Sequence, residues 1–172
     1  MTDPFILKTK RLILRELCQE DDAFMFRLMN GPSWIKFVGD RGIASVGHAR
    51  TYLNDKLIPA YRDSGFGFYL VESKVGLVSL GICGFVKRDF LEHPDLGFAF
   101  LSEHWRQGYA FESSKACLEY GRRALGFSKI AAITSPDNDP SDELLLKLGF
   151  YHEGVVEDDE GGEQLFLYSS AP

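Results

Sequence analysis

The chain has 172 residues, of which 45% are hydrophobic and 26% charged, and its formal net charge is −6. That length suits one domain, residues 1–172, able to bury its own core, and the acidic balance argues against a nucleic-acid partner, which would leave a basic stripe. No apolar stretch approaches the roughly 18 residues of a membrane span and the N-terminus lacks a signal peptide's apolar segment, so the expectation is a cytoplasmic protein with no membrane partner.

Lys10 to Arg15 place alternate residues on opposite faces and read as a first strand. Asp21 and Asp22 suit the start of a helix through Phe24 and Leu28, which Asn30-Gly31-Pro32 should stop. Ser45 is a natural N-cap for a second helix with Val46, Ala49, Leu53 and Leu57 on one face, ended or kinked at Pro59. Between them Phe37 to Gly42 is turn-rich. No Lys-Ser or Lys-Thr follows its glycines, so it is no phosphate loop; it is either a self-packed loop or a wall of a substrate cleft carrying Trp34 and Arg41.

From Phe66 the pattern turns to β. Phe66 to Glu72 and Val75 to Gly84 read as a hairpin joined at Ser73-Lys74. Asp95 to Leu101 is nearly all apolar and reads as a central strand covered on both faces. Gly97 in its interior marks a bulge, tight packing or an approaching ligand.

His104 to Glu112 links that strand to a long helix. The first turn of a helix has unpaired N–H groups and partial positive charge, Arg106 adds a full charge, and Gly108 admits close backbone approach. The stretch therefore reads as an anion site, with a pyrophosphate as the expected guest. Ala110, Ser114, Cys117, Leu118, Gly121, Ala124 and Leu125 form one face of the helix, and Gly126 ends it. Lys129 to Thr134 is the next strand. Asp139-Pro140 opens a short helix through Leu144, Leu145 and Leu148, which Gly149 ends. Phe150 to Val156 and Glu163 to Tyr168 form a closing hairpin. The acidic run Glu157 to Glu163 at its tip is either a solvated surface or a lure for a cationic substrate. Cys18, Cys83 and Cys117 are odd in number and set among apolar residues, so they read as reduced and buried, and no spacing suggests a metal.

Three segments, in order, resemble the GNAT superfamily of acetyl-CoA-dependent N-acetyltransferases, and within it the RimJ/RimL-type branch. Thr9-Lys10-Arg11-Leu12-Ile13-Leu14-Arg15 is similar to that branch's opening strand. Trp105-Arg106-Gln107-Gly108-Tyr109-Ala110 resembles its (Gln/Arg)-x-x-Gly-x-(Gly/Ala) pyrophosphate loop, with Trp105 at the first position. Asn138-x-x-Ser141 with Lys147-Leu148-Gly149-Phe150 resembles the segment after the fifth strand.

The resemblance implies an α/β (α+β) fold with a mixed, mostly antiparallel sheet of about seven strands, splayed at its centre, and helices on both faces. It implies acetyl-CoA as co-substrate, its diphosphate held by Arg106, Gln107, Gly108, Tyr109 and Ala110. Phe98, Ala99 and Phe100 would pair with the pantetheine arm from a bulged strand, and Asn138 and Ser141 would complete the cofactor site. Where many members carry a Tyr proposed as general acid, this chain has Leu145.

Transfer to a primary amine needs the neutral amine. At pH 7 roughly one α-amino group in seven is neutral, against about one lysine in two thousand or more. Asp95 is the carboxylate entering the central strand, either a base or substrate-orienting group or a strand-end charge facing water. The acceptor is a protein N-terminus or a small amine, attacking directly because no nucleophile for an acyl-enzyme is visible. The rival reading is a non-catalytic acyl-CoA-binding sensor or partner. Monomer and homodimer both fit.

Overall fold

Residues 5–170 are described by a computed structural model. Its strands are β1 (Phe5–Lys8), β2 (Leu12–Glu16), β3 (Phe68–Ser73), β4 (Ser79–Val86), β5 (Asp95–Phe100), β6 (Ala131–Thr134), β7 (Phe150–Glu157) and β8 (Gln164–Ser170). Its helices are α1 (Asp22–Met29), α2 (Pro32–Phe37), α3 (Val46–Tyr52), α4 (Pro59–Asp63), α5 (Tyr109–Arg123) and α6 (Asp139–Lys147). All eight strands join one sheet in the order β1-β2-β3-β4-β5-β6-β8-β7, with β5–β6 the parallel pair.

Alternation along the central strands decides where the helices lie. Tyr69, Val71, Cys83 and Phe85 face one side, where Cys117 and Leu118 of α5 and Leu145 of α6 meet them. Leu70 and Ile82 face the other, against Met25, Leu28 and Met29 of α1 and Ala49 of α3. Both faces of β4 are therefore apolar and buried, as its near-continuous hydrophobic run requires. Cys83 and Cys117 are fully buried within the first of these cores.

The sheet is mixed and mostly antiparallel as expected, and Phe5–Lys8, an antiparallel edge strand on β2, brings the expected seven or so strands to eight. Two local expectations are corrected. The β3–β4 connection is longer than a two-residue turn: β4 begins at Ser79, and Val75, Leu77 and Val78 are exposed in the turn, where Gly76 and Leu77 take positive φ. Gly31-Pro32 ends α1 but also starts α2, with Pro32 in the first turn, where its missing N–H costs nothing. Trp34 thus sits on a helix and not in a loop.

Pro59 likewise opens a turn of helix after a widened stretch, Leu53–Leu57, in which the Ile58 N–H bonds to Leu53 O at 2.9 Å. Widening removes the collision between a proline ring and the carbonyl four residues before it, so the helical run bends onward instead of ending. Ser45 caps α3 as expected, its Oγ accepting from His48 N at 3.1 Å.

Candidate active site

The sheet opens between β5 and β6. They share one bridging pair, Asp95 with Ala131, and the Ala131 N–H bonds to Pro94 O at 2.8 Å. Beyond it β6 continues with β8, from Ala131↔Ser169 to Thr134↔Phe166, while β5 continues with β4. The two strands diverge from Asp95 and leave a cleft between them. The opening does not come from a bulge at Gly97: the β4–β5 register runs unbroken from Gly81↔Phe100 to Val86↔Asp95. Gly97 makes room for the Phe68 ring, since a Cβ there would lie 2.8 Å from Cε1 of Phe68.

Hydrogen-bond alternation assigns the backbone groups of β5. The Leu101 N–H bonds to Leu80 O at 3.1 Å, so Ala99, two residues earlier, directs its N–H and C=O to Ile82 on β4. Phe98 and Phe100 turn theirs to the cleft. Ala99 is therefore corrected as a backbone partner for a pantetheine arm, and the Phe100 carbonyl already accepts from Nε1 of Trp105 at 2.8 Å.

A cavity of about 420 Å³ occupies the opening, within the range of small-molecule sites. Gly97 and Phe98 line it from β5, and Thr134, Asn138, Ser141 and Leu145 from the other strand and α6. Trp34 and Arg41 line the far wall beside Asp158, Asp159, Glu160 and Glu163 of the β7–β8 hairpin. The acidic run thus borders the cavity. Arg41 Nη1 donates to Glu160 at 2.6 Å, which ties the segment after α2 to that hairpin. Asn138 caps α6, its side chain accepting from Ser141 N at 3.4 Å.

Asp95 stands at the apex and is 2% exposed. Arg88 Nε donates to its Oδ2 at 2.7 Å. Burial pushes its pKa up to about 6, against the pull of the Arg88 charge and a weaker pull from the Ile133 N–H that falls short of a formed hydrogen bond. Among the described residues two buried side-chain polar atoms have no partner, Asp95 Oδ1 and Trp34 Nε1, and both residues line this cavity. Native interiors seldom leave such groups unsatisfied, and a ligand with both polarities would satisfy them.

The turn before α5 is built from two left-handed residues, Arg106 at φ 58° and Gly108 at φ 80°. The first intrahelical bond, Glu112 N–H to Gly108 O at 3.0 Å, leaves the N–H groups before it for other partners. Arg106 is exposed and its side chain makes no bond or ion pair among the described residues. Arg11, from the β1–β2 turn, reaches the same place: Nε donates to Glu112 at 2.6 Å and Nη1 to Gln107 O at 2.8 Å.

The segments that form this geometry match known proteins. Residues 11–151 match the family model described as an acetyltransferase (GNAT) domain. The uncharacterized N-acetyltransferase YoaA of Bacillus subtilis is 30% identical over 153 residues, covering 88% of this chain and 85% of that protein. The chain belongs to the GNAT family of acetyltransferases.

Solved GNAT acetyltransferases share the fold. An acetyltransferase from Agrobacterium tumefaciens superposes with a TM-score of 0.82 at 19% identity, covering 100% of this chain and 96% of that one. RimL, a ribosomal L7/L12 alpha-N-protein acetyltransferase in complex with coenzyme A, superposes with a TM-score of 0.81 at 16% identity, covering 96% of each. In this GNAT chain Leu145 is 1% exposed and lines the cleft, so an apolar side chain occupies that part of the wall. Sequence reasoning missed Arg88, Thr9 and Arg11. Arg88 lies in a connecting loop, and the other two act across about a hundred residues, beyond any local pattern. Among the described residues no cluster of metal-binding side chains occurs, and no helix is long and apolar enough to cross a membrane.

Proposed function

We propose that this GNAT acetyltransferase transfers acetyl from acetyl-CoA to a primary amine by direct attack in the β5–β6 cleft. The observation that carries the reading is the divergence of the two strands from a buried carboxylate, with a strand edge on one side and an anion-accepting turn beyond it. Arg106 to Ala110 would receive the diphosphate on backbone N–H groups and the Arg106 charge. The cleft-facing groups of Phe98 and Phe100 would receive the pantetheine arm as an added strand, and Asn138 and Ser141 would flank it. The branch of the family nearest in kind is RimJ/RimL, a reading that rests on the motif order.

In the reaction the amine nitrogen bonds to the thioester carbonyl carbon, the carbon–sulfur bond breaks, and the sulfur leaves as thiolate. A strand N–H facing the carbonyl oxygen stabilises its developing charge. Asp95 takes the proton lost by the attacking nitrogen; with a pKa near 6 it is ionised at neutral pH and still a better base than an exposed carboxylate. Leu145 has no proton to give, so the thiolate is protonated from solvent. The acceptor enters past Trp34 and Arg41. It is a protein N-terminus or a small amine, whose ammonium form the acidic hairpin attracts.

Thiol release from acetyl-CoA, measured against a panel of peptides, polyamines and aminoglycosides, tests the reading. Amine-dependent release is expected. Tight acetyl-CoA binding without turnover on any amine would return the non-catalytic binding module, which Leu145 also suits.

A further inference from the structure

Glu112 poses a problem for any anion at the start of α5. It lies in the first turn, four residues after the Gly108 cap, where an unscreened carboxylate would repel a bound phosphate. The chain disposes of that charge through the β1–β2 turn. Thr9 Oγ1 donates to Glu112 Oε1 at 2.6 Å, the Arg11 N–H to the same oxygen at 2.9 Å, and Arg11 Nε to Oε2 at 2.6 Å. Burial works to raise the Glu112 pKa, and these bonds together with the Arg11 charge outweigh it and hold the carboxyl below its usual range.

The same guanidinium also shapes the turn. Nη1 donates to Gln107 O at 2.8 Å, and the group stacks over the Tyr109 ring at 4.6 Å from its centroid. Binding the Gln107 carbonyl sets a cation against that oxygen's partial negative charge and so reduces its repulsion of an incoming anion. A Cβ on Gly108 would lie 3.2 Å from Arg11 Nη2, so the glycine's bareness admits the guanidinium as well as the left-handed turn. Arg11 thus touches Gln107, Tyr109 and Glu112 and crowds Gly108.

We infer that Arg11 is a positioning residue of the coenzyme's diphosphate site, which screens Glu112 and holds the Gln107–Gly108 turn in its anion-accepting shape. The inference rests on the proposed acetyl-CoA reading. It gives a role to the opening motif Thr9 to Arg15, whose Arg11 no local signal connects with a helix 100 residues later.

The test compares coenzyme A binding with turnover of S-acetyl-pantetheine, a thioester donor with no phosphate. Arg11→Ala should weaken coenzyme A binding by about tenfold or more and leave S-acetyl-pantetheine turnover within about twofold. Arg11→Lys, which keeps charge but not the fork, should recover part of the loss. Adding Glu112→Gln to Arg11→Ala should also recover part, because the unscreened carboxylate is gone. Unchanged coenzyme A affinity in Arg11→Ala overturns the role, as does an equal loss for both donors. If Arg11→Ala does not fold, Arg11→Lys decides: coenzyme A affinity equal to the parent's overturns the role, and a loss confined to coenzyme A supports it. Failure of the unaltered protein to bind coenzyme A is a different result and overturns the coenzyme reading itself.

Discussion

Arg88 donates from Nε to Oδ2 of Asp95 at 2.7 Å and leaves Oδ1 of the same carboxylate buried without a partner at the apex of the cleft. The two residues set one ionisation between them. Burial raises the Asp95 pKa to about 6 and Arg88 opposes the rise. With a fixed acceptor, kcat/KM should climb as pH rises through about 6, where the free enzyme's base ionises. Arg88→Gln should move that limb upward, since the opposing charge is lost, and Asp95→Asn should abolish it. An Asp95→Asn enzyme that keeps the limb and its rate would remove Asp95 from catalysis.

Stability should respond to the same carboxyl. A group whose folded pKa exceeds its unfolded value, here about 6 against 3.8, stabilises the fold while protonated. That contribution is complete below 3.8 and lost as pH rises through 6. Asp95→Asn does not titrate, so its stability relative to the parent should improve by about 3 kcal/mol between pH 3.5 and pH 8. Urea unfolding at the two pH values measures it, and a constant difference would contradict the assignment.

Arg106 combines a free charge with a left-handed backbone at φ 58°. Arg106→Ala should raise the acetyl-CoA KM on the order of 10- to 100-fold with little change in kcat, from a lost charge-assisted bond of about 1.5–3 kcal/mol. Arg106→Gly should lose the same binding but be about 1 kcal/mol more stable than Arg106→Ala, because glycine accepts positive φ without strain. An unchanged KM in both would leave the loop to its backbone N–H groups alone.

Two glycines of the paired strands separate packing from function. At Gly84 an added Cβ would lie 2.2 Å from Gly67 O, and only the β3–β4 backbone could yield. Gly84→Ala should therefore cost more than about 3 kcal/mol. At Gly97 the obstacle is the Phe68 ring, which can turn, so Gly97→Ala should cost about 1–3 kcal/mol. Because Gly97 and Phe68 both line the cleft, the second variant should also change acceptor KM, whereas thermal unfolding alone reports the first.

Periodicity and turn chemistry are local, and the elements they govern were legible. The apolar face of α5, the Ser45 cap, the Asp139-Pro140 start and the Gly108 turn that opens α5 all follow from residues within one or two turns of each other. Phe5–Lys8 was missed because four residues are too few to show alternation, and they become a strand only through β2. Pro59 kinks the helical run and does not end it, because a widened turn absorbs its clash.

What the sequence determined by itself is the order of the longer strands and helices from Leu12 onward, the location of a positively polarised helix start, and a family-like arrangement of motifs. The tertiary structure alone decided how much water Asp95 loses, which backbone groups of β5 face the cleft, and that Arg11 neutralises Glu112. Desolvation, strand pairing and ion pairing each depend on which distant segments come together, and spacing along the chain carries no record of that.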